Sequence, residues 1–179
     1  MLTSIRKLKA MLLFFCTYTN PKLLGKTKLM KLFYFADFLH LKKYGAPMTY
    51  DRYVNLEHGP VPSVLMNLVN EAKDDIDSSI LSDVISVEKT YEMYRIKGVR
   101  EFSEEDEKYF SETEKEILKL VCFKFENANT QTIENESHEE SPWKETRSCE
   151  EIPYSLATGD EDCLVTKEEI DLMMKINKE

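Results

Sequence analysis

The ionisable side chains between positions 28 and 42 are spaced so that they could act together. At about 100° per residue, Lys28, Lys31 and Lys42 fall on one narrow stripe of a helix, with Phe35 as an exposed aromatic beside them. Ammonium groups next to an aromatic ring can steer and anchor a partner protein, so we take these four as candidate partner-binding residues. The alternative is a solvated edge, or an internal match for the acidic residues after position 100.

Asp37 is the ionisable residue of this helix that we expect to point into apolar surroundings. An unpaired carboxylate in such surroundings is costly, so we expect it to have a partner such as Tyr34, His40 or a lysine or arginine from elsewhere. A catalytic acid is the alternative. Without a second carboxylate or a nucleophile nearby, the pattern favours a structural anchor.

The sequence contains few features that would indicate a metal site or a catalytic nucleophile. The four cysteines form no C-x-x-C pair, and the three scattered histidines add no metal-ligand spacing. No Ser-His-Asp order, zinc signature or paired-acid motif is present. We therefore predict no catalytic residues, no metal and no cofactor. A hydrolase or transferase working at Asp37 and His138 is an alternative for which no known catalytic spacing exists.

Composition and charge narrow the class of protein. A chain of 179 residues with 42% hydrophobic residues is predicted to form a single domain, residues 1–179. Its net charge is −9, yet residues 1–50 hold nine of the 24 basic residues and one of the 33 acidic residues. The excess of acid argues against general nucleic-acid binding, which needs neutralised phosphates. The apolar run at 10–16 is shorter than the roughly 18 residues of a membrane span, so we predict a core helix in a soluble, cytoplasmic protein without a membrane partner.

Periodicity and capping residues predict the elements that must position these side chains. The predicted helices lie at 4–17, 26–44, 63–73, 130–137 and 141–143, and two more follow capping boxes at 111–114 and 166–169. The other predicted elements are a strand at 53–57, a hairpin of 83–88 with 91–97, a solvated acidic run at 101–107 and a loop at 150–163. The helix after Gly25 is apolar around more than half of its circumference, which is typical of a central, buried helix. The predicted fold class is α+β: a predominantly helical single domain around that helix, with a small antiparallel β-hairpin or sheet.

Three further features are interpreted as structural or as partner contacts. Gly59, Pro60 and Pro62 lie in a G-P-V-P segment that we interpret as a rigid turn leading into a helix, because prolines lack the N–H groups that would cradle an anion. His138 is predicted to be either a satisfied polar residue of the core or part of a partner groove. Trp143 is predicted to be a core or groove aromatic whose N–H needs one acceptor.

These motifs together resemble a known family, the Panacea (SocA-like) antitoxin domains. In that family a helix of lysine, leucine, aromatic and tyrosine residues is followed some 25 residues later by a G-P-V-x-P turn. The matching residues here are Lys28, Leu29, Lys31, Leu32, Phe33 and Tyr34, then Gly59, Pro60, Val61 and Pro62, and further on His138, Pro142 and Trp143. The resemblance covers roughly residues 5 to 156.

The resemblance implies an antitoxin that inhibits a cognate toxin, encoded next door, by direct binding. Some members resemble protease adaptors that deliver the toxin for degradation, so a cellular protease is a second possible partner. A DNA-binding, winged-helix-like regulator is the competing hypothesis, motivated by the lysine stripe and by the alternation of helices and hairpin.

Overall fold

The computed structural model describes residues 4–91 and 93–177. In chain order these residues form α1 (Ile5–Tyr18), α2 (Lys26–Tyr44), β1 (Tyr53–Leu56), β2 (Gly59–Pro62), α3 (Ser63–Asp74), β3 (Ile85–Lys89), β4 (Tyr94–Gly98), α4 (Glu104–Glu107), α5 (Glu112–Phe125), α6 (Thr130–Glu139), α7 (Ser141–Lys144), a 3-10 helix (Tyr154–Gly159) and α8 (Lys167–Ile176). The strands form two separate two-stranded antiparallel sheets. The predicted fold class, α+β and mostly helical, is confirmed.

The central element is α2, as predicted. Fourteen of its 19 residues are buried. It packs against α5, β2, α6 and the 3-10 helix, so that other elements surround it on several sides. The helix ends at Gly45, whose φ of 82° is left-handed and whose N–H donates to the Leu41 carbonyl. Apolar residues all around a helix are typical of one that other elements enclose.

Two helices begin at the capping boxes that the sequence predicts. At the start of α5, Ser111 and Glu114 satisfy each other's backbone N–H groups, and Thr166 and Glu169 do the same at the start of α8. Each box binds two backbone N–H groups that the first turn of a helix otherwise leaves unpaired. The two starts are therefore set by local sequence alone.

Aromatic rings join α2 to the helices on either side of it. The ring of Phe33 lies 5.4 Å from that of Phe15 on α1, and the ring of Phe35 lies 4.6 Å from that of Phe125 on α5. All four side chains are buried. Ring pairs of this kind add about 0.5–1.5 kcal/mol each beyond the area that they bury.

The segment Gly59–Pro62 is a strand, where the sequence predicted a rigid turn. It pairs antiparallel with β1, from Tyr53 opposite Pro62 to Leu56 opposite Gly59. Prolines are excluded from central strands because they lack the N–H of the ladder. In this sheet β2 has a neighbour on one side only, and edge strands tolerate proline.

The second hairpin is where the sequence predicts it and is tied to the start of α2. In it β3 and β4 pair with Ile85 opposite Gly98. The Ile96 N–H donates to the Leu24 carbonyl at 3.0 Å, just before α2 begins. The hairpin therefore fixes one end of the central helix.

Two segments differ from the sequence-based expectation. The acidic run at 101–107 is not wholly solvated, because α4 forms there and Asp106 is buried. The Arg100 guanidinium holds Asp106 with two bonds of 2.6 and 2.8 Å, and this pairing lowers the pKa of the carboxyl to about 2. The segment 150–163, expected to be mainly loop, contains the 3-10 helix, which packs against α2 and α7.

Candidate functional site

The two lysines near the start of α2, Lys28 and Lys31, donate hydrogen bonds to backbone carbonyls of neighbouring segments. Lys28 Nζ donates to the carbonyls of Glu126 and Ala128 at 2.9 and 2.7 Å, just beyond the C-terminus of α5. Lys31 Nζ donates to the Pro60 carbonyl at 2.8 Å. Burial lowers the pKa of Lys28 to about 8 and that of Lys31 to about 7. These two ammonium groups connect α2 to α5 and to β2.

Lys42, near the other end of α2, lies among carboxylates. Its Nζ is 3.0 Å from Glu140, 2.8 Å from Asp160 and 3.1 Å from Asp162. The Tyr34 hydroxyl donates to the other oxygen of Glu140 at 2.9 Å. Burial by itself lowers the pKa of Lys42, but the neighbouring carboxylates outweigh that effect and the pKa is raised. The cluster connects α2 to the segment between α6 and α8.

The predicted exposure of this stripe is therefore wrong. Lys28 and Lys31 are fully buried, and Lys42 and Phe35 are each 2% exposed. The physical reason is that α2 is enclosed, while the long apolar stems of the lysines carry their charges to acceptors on neighbouring elements. The alternative of an internal match for acids after position 100 holds for Lys42. In this structure the four side chains present no surface to a partner.

Asp37 is fully buried, as expected, but its partners are not the predicted ones. Its carboxylate accepts the N–H groups of Met48 and Thr49, both at 2.8 Å, the Tyr53 hydroxyl at 2.8 Å, and the Thr49 hydroxyl. Burial raises the pKa of Asp37 to about 6, although these hydrogen bonds oppose the shift. The carboxylate thus fixes the chain between α2 and β1, which makes Asp37 a structural anchor in this fold.

A second buried acid, Asp51, was missed by the sequence analysis. It accepts the N–H groups of Val64 and Leu65 at 2.9 and 3.0 Å, in the first turn of α3. Pro62, at the N-cap position of α3, provides no side-chain bond there. Asp51 therefore caps α3 from 13 residues away, and no local spacing rule signals such a cap.

His138 and Trp143 are in contact, and their stacked pair is only half-buried. Their rings stack with centroids 3.9 Å apart and an interplanar angle of 16°. The Trp143 N–H points to the Leu56 carbonyl at 3.5 Å, whereas His138 Nε2 is buried and has no hydrogen-bond partner in the described ranges. Burial lowers the pKa of His138. Both side chains are half-buried, and a role as partner contacts stays a prediction.

Gly59 explains why β2 can approach this stack so closely. Its φ of 92° is left-handed, and a Cβ there would lie 2.7 Å from Ser137 Oγ, 2.9 Å from Lys31 Cε and 3.1 Å from His138 Nε2. A side chain at this position would overlap Ser137 and Lys31 and crowd His138. The G-P-V-P segment, Lys31 and His138 are thus one packed unit.

An apolar groove lies between α1 and α5, and we call it the α1/α5 groove. It encloses about 340 Å³ and is lined mainly by apolar and aromatic side chains: Phe14, Tyr18, Phe102, Leu118, Cys122 and Phe123. Phe123 is 83% exposed and Tyr18 is 49% exposed. None of the sequence motifs predicted this groove. The signal that was available is the exposed side of α5, where Leu120 and Phe123 occupy positions that a surface helix usually gives to polar residues.

The comparison with protein families decides the identity. A family model described as "Antitoxin SocA-like, Panacea domain" matches residues 29–144, well over half of the chain. The chain belongs to this family. The Panacea match begins in α2 and ends with α7, so it includes Lys31 and Lys42, the G-P-V-P strand, the His138–Trp143 stack and the α5 side of the groove. It leaves out α1, the 3-10 helix and α8.

Other comparisons add little. No curated protein and no solved structure matches the chain. Of the helices formed by residues 4–91 and 93–177, none is long and apolar enough to cross a membrane. In the same residues, no group of three or more His, Cys, Asp or Glu side chains is placed to hold a metal ion.

Proposed function

We propose that this Panacea-domain protein is an antitoxin that neutralises a cognate toxin by binding it directly. The observation that carries the proposal is the family match over residues 29–144. The structure supports it in one respect: two of the polar residues that could suggest catalysis, Asp37 and Lys42, are engaged in structural bonds. Asp37 holds a loop, and Lys42 balances the half-buried carboxylates of Glu140 and Asp160. A rigid scaffold of this kind suits a protein that works by presenting a surface.

The competing hypothesis of a DNA-binding regulator loses its main motivation. It depended on an exposed stripe of Lys28, Lys31 and Lys42, and these three lysines are buried. Their charges are directed at protein acceptors and are not available to neutralise phosphates. Direct binding of a protein partner is the function that we retain.

Co-expression tests the proposal. Each gene adjacent to this one is induced in a host cell with and without this protein, growth is followed, and the tagged product is purified. We expect that one neighbour arrests growth, that this protein restores growth, and that the two proteins co-purify. Failure to restore growth with every toxic neighbour would refute the proposal.

The same assay separates neutralisation by binding from delivery to a protease. In a host that lacks its major ATP-dependent proteases, an antitoxin that acts by binding still restores growth, and the toxin level stays constant. Loss of rescue in that host, together with accumulation of the toxin, would contradict neutralisation by binding alone.

A further inference from the structure

The α1/α5 groove combines three properties that surfaces of monomers rarely combine: it is concave, apolar and aromatic. Large exposed aromatic side chains at such places usually mark interaction sites. Phe123 has 83% of its surface exposed, although complete burial of a phenylalanine side chain contributes about 1.5–3 kcal/mol. A partner that covered Phe123 would recover that free energy.

Contacts within the protein hold the α1 side of the groove in place. The Phe14 ring lies 4.7 Å from the Tyr18 ring and 5.2 Å from the Phe102 ring. Phe102 itself is held in place because its N–H donates to Thr17 Oγ1 at 2.9 Å. A preformed site costs little ordering entropy on binding, which favours tight association.

The shape of the groove fits a helix. Its α5 wall runs from Lys115 to Glu126, which is about 16 Å, or three helical turns, at 1.5 Å per residue. The α5 wall, and the α1 turn that carries Phe14 and Tyr18, are helical and have their backbone groups already bonded, so an added β-strand would find no ladder to join there. An amphipathic helix with apolar residues at i, i+3 or i+4, and i+7 would place them along these three turns.

Charge around the groove indicates which side chains should flank that helix. Next to Phe102, Glu101 and Glu104 are exposed, and neither makes an ion pair within the described ranges. Glu126, which closes one end of the groove, also makes no ion pair within the described ranges. Of the two lysines that line the groove, Lys115 is paired with glutamates, whereas Lys119 makes no ion pair in those ranges. The unmatched charge is therefore mainly negative. A partner helix with lysine or arginine on the side facing Phe102 would be complementary.

We infer that the α1/α5 groove is the toxin-binding site, and that it takes an amphipathic helix of the toxin whose apolar face is flanked by basic residues. This inference rests on the proposed function and specifies its contact surface. The occupant is the cognate toxin and not a second copy of this chain. Among the charges in and beside the groove that make no ion pair in the described ranges, Glu101, Glu104 and Glu126 outnumber Lys119, so two copies of this face would bring like charges together.

A pair of matched substitutions tests the groove. Phe123→Asp places a charge on the lining of the groove, and Leu172→Asp places the same charge on α8, where Leu172 is 58% exposed. The probe is the tagged, catalytically inactivated product of the adjacent gene that this protein neutralises. We expect Phe123→Asp to weaken binding by at least about 30-fold and to abolish rescue of growth, and Leu172→Asp to change the Kd by less than about threefold. Both positions are on the surface, so the melting temperatures should match that of the wild type within a few degrees.

A second pair tests the charge argument. The double substitution of Glu101 and Glu104 by lysine should weaken binding by about tenfold at low salt and by much less at high salt, because these charges mainly steer association. The same double substitution at Glu150 and Glu161, which are exposed elsewhere, is the control.

The outcomes separate the two proposals. If the wild-type protein binds no toxic neighbour, the proposed function fails and the groove has no toxin to bind. If the wild type binds and rescues, but Phe123→Asp does so equally well, the function stands and the groove is the wrong surface. Loss of binding in Leu172→Asp alone would move the site to α8. A wild-type homodimer that Phe123→Asp dissociates would show that a second copy fills the groove, which would also overturn the inference.

Discussion

Replacing Asp37 by asparagine should change how stability depends on pH by an amount that the structure specifies. The Asp37 carboxyl is fully buried, and its pKa rises from 3.8 to about 6 on folding, chiefly because of burial. The folded protein therefore binds this proton more tightly than the unfolded chain does. The stability that this contributes is complete below about pH 4 and is lost as the pH rises through about 6.

Asparagine keeps the shape of the side chain but cannot ionise. The number of protons bound to Asp37 differs between the folded and the unfolded protein. Integrated from about pH 4.5 to about pH 7.5, this difference is roughly 1.4 pH units, which corresponds to about 2 kcal/mol of unfolding free energy at about 1.36 kcal/mol per unit. The wild type should lose this amount relative to Asp37→Asn over that interval. At the acidic end we expect the variant to be the less stable protein by about 1 kcal/mol, because the Thr49 and Tyr53 hydroxyls must rotate to accept from its amide.

Urea unfolding of both proteins at several pH values measures the difference directly. Taking the difference between the two proteins cancels the contribution of every other titrating group that the substitution leaves alone. Glu161→Gln, which removes an exposed carboxyl, corrects for the general loss of one negative charge. A gap between wild type and Asp37→Asn that stays constant over this range, or that moves the other way, would refute the assignment of Asp37 as a buried carboxylate that titrates on folding.

Three other predictions follow from the packing around α2. Lys42→Met should cost about 2–4 kcal/mol in urea unfolding, because it leaves the half-buried carboxylates of Glu140 and Asp160 without the ammonium group that balances them. A cost below about 1 kcal/mol would contradict that balance. Gly59→Ala should lower the free energy of unfolding by about 2–4 kcal/mol, because it adds steric overlap to a left-handed backbone. Gly45→Ala should lower it by only about 1–2 kcal/mol, because the atom nearest to the added Cβ is 3.8 Å away. Equal losses would argue against the close approach at Gly59. The fluorescence of Trp143, the sole tryptophan, should be quenched as the stacked His138 ring becomes protonated. The midpoint should lie below pH 6.5, because burial lowers the pKa of His138. A transition that is still present in His138→Gln would have another origin.

Local sequence rules placed the helices well and failed where contacts are distant. The capping boxes at Ser111 and Thr166 were predictable because each joins residues three positions apart. The same rules placed the lysine stripe correctly on one side of α2 but took charge as a sign of exposure. The partners of Lys42 lie about a hundred residues further along the chain, and no periodicity reports on them.

Proline rules likewise misjudged β2. The rule that proline breaks strands applies to central strands, and the sequence could not show that Gly59–Pro62 would have a neighbour on one side only. The α1/α5 groove was missed for a related reason. It joins Phe14 and Tyr18 of α1 to Phe102 and α5, which lie far along the chain from them, and only the unusual exposure of Phe123 on α5 could have suggested it.

The lysine contacts of α2 also have a consequence for synthesis on the ribosome. The acceptors of the Lys28 ammonium group, residues 126 and 128, are synthesised long after Lys28 itself. The carboxylates that pair with Lys42, at residues 140, 160 and 162, are synthesised later still. Until then the nascent chain carries an apolar helix with unmatched charges that cannot be buried. The core can therefore close only when translation is almost complete, and a chain released before residue 126 should be degraded as an unfolded fragment.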